Sequence, residues 1–129
     1  MTTILYVDDS PIQLASVKQF LAENGHDVHT ALDVEQAVQC MQQARIEFGL
    51  IDYHMPGKNG AEVLQEIRAR ANPASSVRFY LYTTDNKLQA ESRKLGFHGV
   101  ILRKGDMQAL LAQLEPVLRL MELTRLAKR

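Results

Sequence analysis

Residues Phe48 to Gly60 read FGLIDYHMPGKNG. An apolar run rich in strand formers ends on an acid, Asp52, and the turn residues Met55, Pro56 and Gly57 follow at once. A helical pattern then begins at Asn59-Gly60. The pattern places a carboxylate at the carboxyl end of a buried strand. In an open α/β sheet, the crevice beyond the strand ends is where ligands bind.

Thr3 to Val7 (TILYV) is a second short apolar strand, and it runs directly into Asp8-Asp9-Ser10-Pro11. If the two strands are parallel, three carboxylates arrive at the same end of the sheet. Clustered carboxylates raise one another's pKa unless a cation joins them. Oxygen donors without thiolate or imidazole suit Mg²⁺, which keeps several waters and takes only one or two protein carboxylates.

The rest of the chain alternates strand and helix. Ser10-Pro11-Ile12-Gln13 has the form of a helix start, with Leu14, Val17 and Leu21 on one face and Asn24-Gly25 at the end. Asp27 to Ala31 is a polar second strand suited to a sheet edge, and Asp33 caps a helix carrying Val34, Ala37, Val38 and Met41. A third helix runs from Ala61 with Val63, Leu64 and Ile67 inward, and closes at Asn72-Pro73. Val77 to Tyr82 is the fourth strand, Asp85 is expected to cap a fourth helix stopped by Gly96, and Val100 to Leu102 is the fifth strand. Asp106 caps a last helix that starts at Met107. Short links between alternating elements predict a parallel sheet covered on both faces, an α/β three-layer (βα)₅ sandwich.

Bulk properties narrow the function. A chain of 129 residues is one domain by length and buries a core without disulfides. Lysine plus arginine equals aspartate plus glutamate at 15 each, so no broad field favours nucleic acid or an anionic membrane. Apolar runs are of strand length, and the N-terminus has no basic segment leading into an apolar one, so a cytoplasmic location without membrane association is expected. Cys40 is the only cysteine and reads as a packing residue. His26 and His29 stand three apart along a strand and point to opposite faces, which argues against joint chelation.

The set V-D-D-S-P (Val7 to Pro11), D-Y-H-M-P-G-K-N-G (Asp52 to Gly60), Y-T-T (Tyr82 to Thr84) and R-K-G (Arg103 to Gly105) resembles the receiver domain of two-component response regulators. The resemblance implies a flavodoxin-like receiver fold with strand order 2-1-3-4-5, the receiver domain occupying residues 1–120. Residues 121–129 would be a C-terminal helical extension or the start of a linker. It further implies that Asp52 accepts a phosphoryl group from a histidine kinase or phosphotransfer protein in a Mg²⁺-dependent reaction. Asp8, Asp9, Asp52 and the His54 backbone carbonyl would hold the metal, with Thr83 and Lys104 taking phosphoryl oxygens. The His54 side chain would flank the path of water attacking the acyl phosphate. Such a chain is a switch that is phosphorylated and dephosphorylated without a separate catalytic domain. Its partners would be the phosphoryl donor and a downstream effector or output domain beyond this chain.

Three features depart from the family pattern. Thr84 stands where a small residue is usual, and Val100 or Ile101 replaces the aromatic residue that swings inward on activation. The stretch G-V-I-L-R-K-G carries one extra residue, so counting from Gly99 puts Arg103 in the lysine slot; Lys104 is preferred because a compact ammonium and a broad guanidinium are not interchangeable. In the last helix Met107, Leu111, Leu114, Leu118 and Met121 follow a 4-3-4-3 spacing, which fits packing of Leu111, Leu114 and Leu118 on the sheet or, alternatively, a homodimer seam. Pro116 should kink or restart that helix. Two other functions compete: a degenerate receiver acting only as an interaction or dimerisation module, and a phosphohydrolase working through an aspartyl phosphate. The latter usually places a second acid two residues after the nucleophile, where this chain has His54.

Overall fold

A computed structural model describes residues 1–127. Five strands form one parallel sheet in the order β2-β1-β3-β4-β5: β1 Thr3–Val7, β2 Asp27–Ala31, β3 Phe48–Asp52, β4 Arg78–Thr83 and β5 Gly99–Leu102. The helices between and after them are α1 Pro11–Glu23, α2 Val34–Gln43, α3 Gly60–Ala71, α4 Leu88–Glu91 and α5 Met107–Ala127. The expected (βα)₅ sandwich and its strand order are both present. Period-two alternation divides each strand between two cores. Leu5, Val7, Ile51, Phe79 and Leu81 pack beneath α2 and α3, whereas Ile4, Tyr6, Leu50, Tyr82 and Ile101 pack beneath α1 and α5.

Central β3 is buried at all five positions, and Gly49 lies so close under the Phe79 ring that an added Cβ would stand 2.5 Å from it. Parallel register sets Val7 beside Ile51 and Asp52 beside Tyr82, so Asp8, Asp52 and Thr83 emerge together at the carboxyl edge.

Helix ends follow local chemistry. Ser10 accepts from the Gln13 N–H with Pro11 in the first turn, Asp33 accepts from the Gln36 N–H, and Asp106 accepts from the Ala109 N–H. Asn72, in the left-handed region at φ 46°, ends α3.

Several expectations are corrected. Strand β4 starts at Arg78 and reaches Thr83, and β5 starts at Gly99. Helix α4 has only four residues; Asp85 instead accepts from the Lys87 N–H within the preceding turn and caps no helix. With Leu88 and Ser92 as its buried contacts, the segment has little apolar surface to hold a longer helix. Helix α5 turns Leu110, Leu114 and Leu118 inward, leaving Leu111 only half-buried, so the sheet-packing stripe is spaced by four throughout. The helix also continues through Pro116 to Ala127 without a break. Pro116 and Ala112 are both exposed, so the Ala112 carbonyl that loses its helical donor faces water.

Candidate functional site

The carboxyl edge of the sheet gathers Asp8, Asp9 and Asp52, each offering a carboxylate oxygen within 4.8 Å of the others. Asp8 and Asp52 are buried, at 1% and 3% exposure, while Asp9 is exposed at the rim. Desolvation raises the Asp52 pKa above the usual carboxylate range, and the Asp8 charge adds to it, against the opposing pull of Lys104 and a hydrogen bond from the His54 backbone N–H. The Asp52 side chain retains 5% exposure, so it is not sealed from solvent.

Lys104 lies against both buried acids. Its ammonium lies 2.7 Å from Asp8 Oδ2 and 3.1 Å from Asp52 Oδ2, and its side chain is 17% exposed. Burial works against the ammonium, but the Asp8 hydrogen bond and the fields of Asp52 and Asp8 outweigh it and raise its pKa above 10.5. Arg103 points elsewhere: its guanidinium pairs with Asp106 at 3.0 Å and is largely solvent-exposed. Arg103, the first residue after β5, takes the left-handed conformation at φ 62°. Two anchors then seat the loop, as Lys104 N–H donates to the Thr83 carbonyl at 3.3 Å and Gly105 N–H to the Tyr82 hydroxyl at 3.1 Å. Gln113 of α5 holds the strand end from the other side, its amide bonding both the N–H and the C=O of Leu102.

Thr83 is buried, and its Oγ1 accepts from the Asp85 N–H at 3.0 Å, which leaves the hydroxyl proton available to a ligand. Thr84 is exposed. The His54 ring is 62% exposed, 3.8 Å from Asp85 and edge-on to Tyr53. His26 and His29 lie apart from this site, bonded to the Thr2 N–H and to Asp27. Ile101 is in the core beneath α5 and Val100 packs at the edge of the opposite core.

The start of α3 is fitted to the end of β3. Gly60 N–H donates to the Tyr53 carbonyl at 2.8 Å, and a Cβ at Gly60 would stand 2.6 Å from the Asp52 carbonyl oxygen. Asn59 and Glu62 form a reciprocal capping box that fixes the helix beside the acid.

Two tyrosines complete the site, and no motif marks Tyr6. Tyr6 donates from its hydroxyl to Asp8 Oδ2 at 2.5 Å, and the two rings of Tyr6 and Tyr82 meet edge to face at 5.8 Å. Tyr6 stands two residues before Asp8 on a strand and therefore shares its face, a spacing that signals the contact. With the Ser10 N–H on Oδ1, the Asp8 carboxylate is held by three donors. An all-oxygen donor set, partly buried and balanced by one ammonium, is fitted to a small divalent cation.

A family model described as the response regulator receiver domain matches residues 4–115. Protein PilH of Pseudomonas aeruginosa is 26% identical over 119 residues, covering 92% of this chain and 98% of that protein. The transcriptional regulatory protein AruR of the same species is 34% identical over 73 residues, 53% of this chain and 30% of AruR's length. Among solved structures, the chemotaxis response regulator CheY4 of Vibrio cholerae aligns with a TM-score of 0.77 and 27% identity, over 91% of this chain and 98% of CheY4.

Proposed function

The chain belongs to the response regulator receiver domain family, and on that premise we propose that it is a phosphorylation-dependent switch with Asp52 as the phosphoacceptor. The observation that carries this reading is the placement of the Lys104 ammonium between Asp8 and Asp52, with Asp9 alongside. The donor is a histidine kinase or a phosphotransfer protein. A carboxylate oxygen of Asp52 bonds to phosphorus as the donor's P–N bond breaks, and the departing imidazole takes up a proton.

Phosphoryl transfer asks the protein for positioning and charge neutralisation rather than further covalent chemistry. Asp8, Asp9, Asp52 and the His54 carbonyl are the residues that would hold Mg²⁺, which when bound neutralises charge shared between Asp52 and the phosphoryl group. Thr83 donates its hydroxyl proton to one phosphoryl oxygen. Lys104 turns its ammonium from Asp8 to another. His54, exposed beside Asp52, shields the acyl phosphate from water and sets its lifetime.

We place the receiver unit at residues 1–120 and read residues 121–129 as an extension or linker, of which Lys128 and Arg129 lie outside the described residues. Among the described residues no helix is long and apolar enough to cross a membrane, in keeping with a cytoplasmic switch. The output is a downstream effector protein or an output domain. A homodimer through the last helix would use Leu120, Leu123 and Leu126, which are exposed, because Leu114 and Leu118 are committed to the core.

The test is incubation with Mg²⁺ and acetyl phosphate followed by peptide mass spectrometry. Label on the peptide containing Asp52, absent from Asp52→Asn and absent in excess EDTA, is the expected result; equal labelling of the Asn variant refutes the assignment.

A further inference from the structure

At the opposite, amino end of β4 and β5 lies an open cavity of about 380 Å³ whose polar lining is Arg68, Asn72, Ser75 and His98, with Pro73 and Val77 as an apolar wall. Among the described residues no acid lines it. Arg70, Arg103 and Arg125 each meet a carboxylate elsewhere on the surface. Among the described residues Arg68, Arg78 and Arg93 have no carboxylate within 4.0 Å. The Arg68 guanidinium is held in place over the Phe79 ring, 5.5 Å from its centroid, and so is oriented without an anionic partner.

His98 is oriented too. Its backbone N–H donates to the Phe79 carbonyl at 2.8 Å, and its Nδ1 accepts from the Phe79 N–H at 3.1 Å. Accepting at Nδ1 puts the ring proton on Nε2, a donor with no hydrogen-bond partner among the described residues. Burial first, and then Arg78, Arg68 and Arg93, hold the imidazole neutral by lowering its pKa, so Arg78 and Arg93 extend the positive field over the cavity. Residues bearing a guanidinium, an imidazole N–H, a hydroxyl and an amide thus line one open cavity in a chain whose net charge is zero. A planar guanidinium fork and neutral donors in a positive field match a doubly charged phosphate better than a singly charged carboxylate. The volume exceeds that of a bare ion and falls in the range of small-molecule sites.

We propose that this cavity binds a small phosphate monoester, its phosphate on Arg68, Ser75 and His98 Nε2 and its organic group against Pro73 and Val77. The site is separate from Asp52 and goes beyond the switch function.

The test uses the full chain, ¹⁵N-labelled, in EDTA at ionic strength held constant with sodium chloride, titrated with phenyl phosphate and with inorganic phosphate. Saturable shifts centred on Ser75, Val77, Phe79 and His98, together with the Arg68 side-chain N–H, are expected, with phenyl phosphate the tighter ligand. Arg68→Gln should weaken it by about tenfold or more, as loss of a charge-assisted pair does. Arg93→Gln, which removes only field, should weaken it by about twofold to fivefold. Unchanged labelling of Asp52 by acetyl phosphate in both variants checks that they are folded. Shifts that never saturate, that centre on Thr83 and Lys104, or that are the same in Arg68→Gln overturn the proposal.

Discussion

Replacing Lys104 with Met removes the cation seated between two buried acids and keeps an unbranched side chain one atom shorter. At an effective dielectric of about 20, pairs at 2.7 and 3.1 Å correspond to gross attractions of about 6 and 5 kcal/mol. Most of that is offset by desolvation of the three ions, so the gross sum is not the loss. Breaking a buried pair by deleting one partner costs about 3–5 kcal/mol. Asp52 can escape part of this by taking up a proton, because burial already raises its pKa, and each unit of pKa separation is worth about 1.4 kcal/mol. A loss of about 3 kcal/mol at pH 7 without metal is therefore expected. The sign with pH follows from linkage. A carboxyl whose folded pKa lies above its unfolded value of 3.8 binds more protons in the native state, so stability falls as pH rises through that window. Lys104→Met raises the folded value further. The gap to the parent should be smaller at pH 4 than at pH 7, and what remains at pH 4 is the lost partner of Asp8. Urea denaturation in EDTA, followed by circular dichroism at the two pH values, measures it. Equal stabilities at pH 7, or a gap that does not change with pH, would refute the reasoning.

Gly60→Ala sets a Cβ against the backbone Asp52 carbonyl, which cannot yield as a side chain would; a loss of about 1–3 kcal/mol in denaturant unfolding is expected, together with slower phosphorylation of Asp52. Tyr6 and Tyr82 have pKa values raised by burial, Tyr6 also by its bond to Asp8, so native protein holds those protons above pH 10 and stability falls as pH rises beyond it. Absorbance at 295 nm should show these phenols ionising together with unfolding, and Tyr6→Phe should lessen the alkaline loss of stability. His54→Ala should change the lifetime of the phosphorylated form several-fold in a dephosphorylation time course while leaving Asp52 as the labelled residue.

The sheet was legible because its strands end on chemistry: Val7 runs into Asp8, Ile51 into Asp52 and Tyr82 into Thr83, all at one edge in the observed register. Caps at Ser10, Asp33 and Asp106 were legible for the same local reason. Helix α4 was not, because a capping acid at Asp85 and a stop at Gly96 suggest a length that tertiary packing here does not sustain. Counting along the chain does not say which of Arg103 and Lys104 faces the acids, because the left-handed turn at Arg103 sends the two side chains in different directions. Tyr6 was hidden by its ordinary appearance as an apolar strand residue, though its offset from Asp8 carried the information. In α5 a leucine-rich run offers several stripes, and only contact with the sheet selects Leu110 over Leu111.

The most direct test of the central claim is a crystal structure of the chain with Mg²⁺ and beryllofluoride. The arrangement predicts beryllium bonded to an Asp52 oxygen, the metal on Asp8, Asp9 and Asp52, and the fluorides received by Thr83 and the Lys104 ammonium. An adduct on another acid, or Arg103 in place of Lys104 with the loop turned outward, would contradict it.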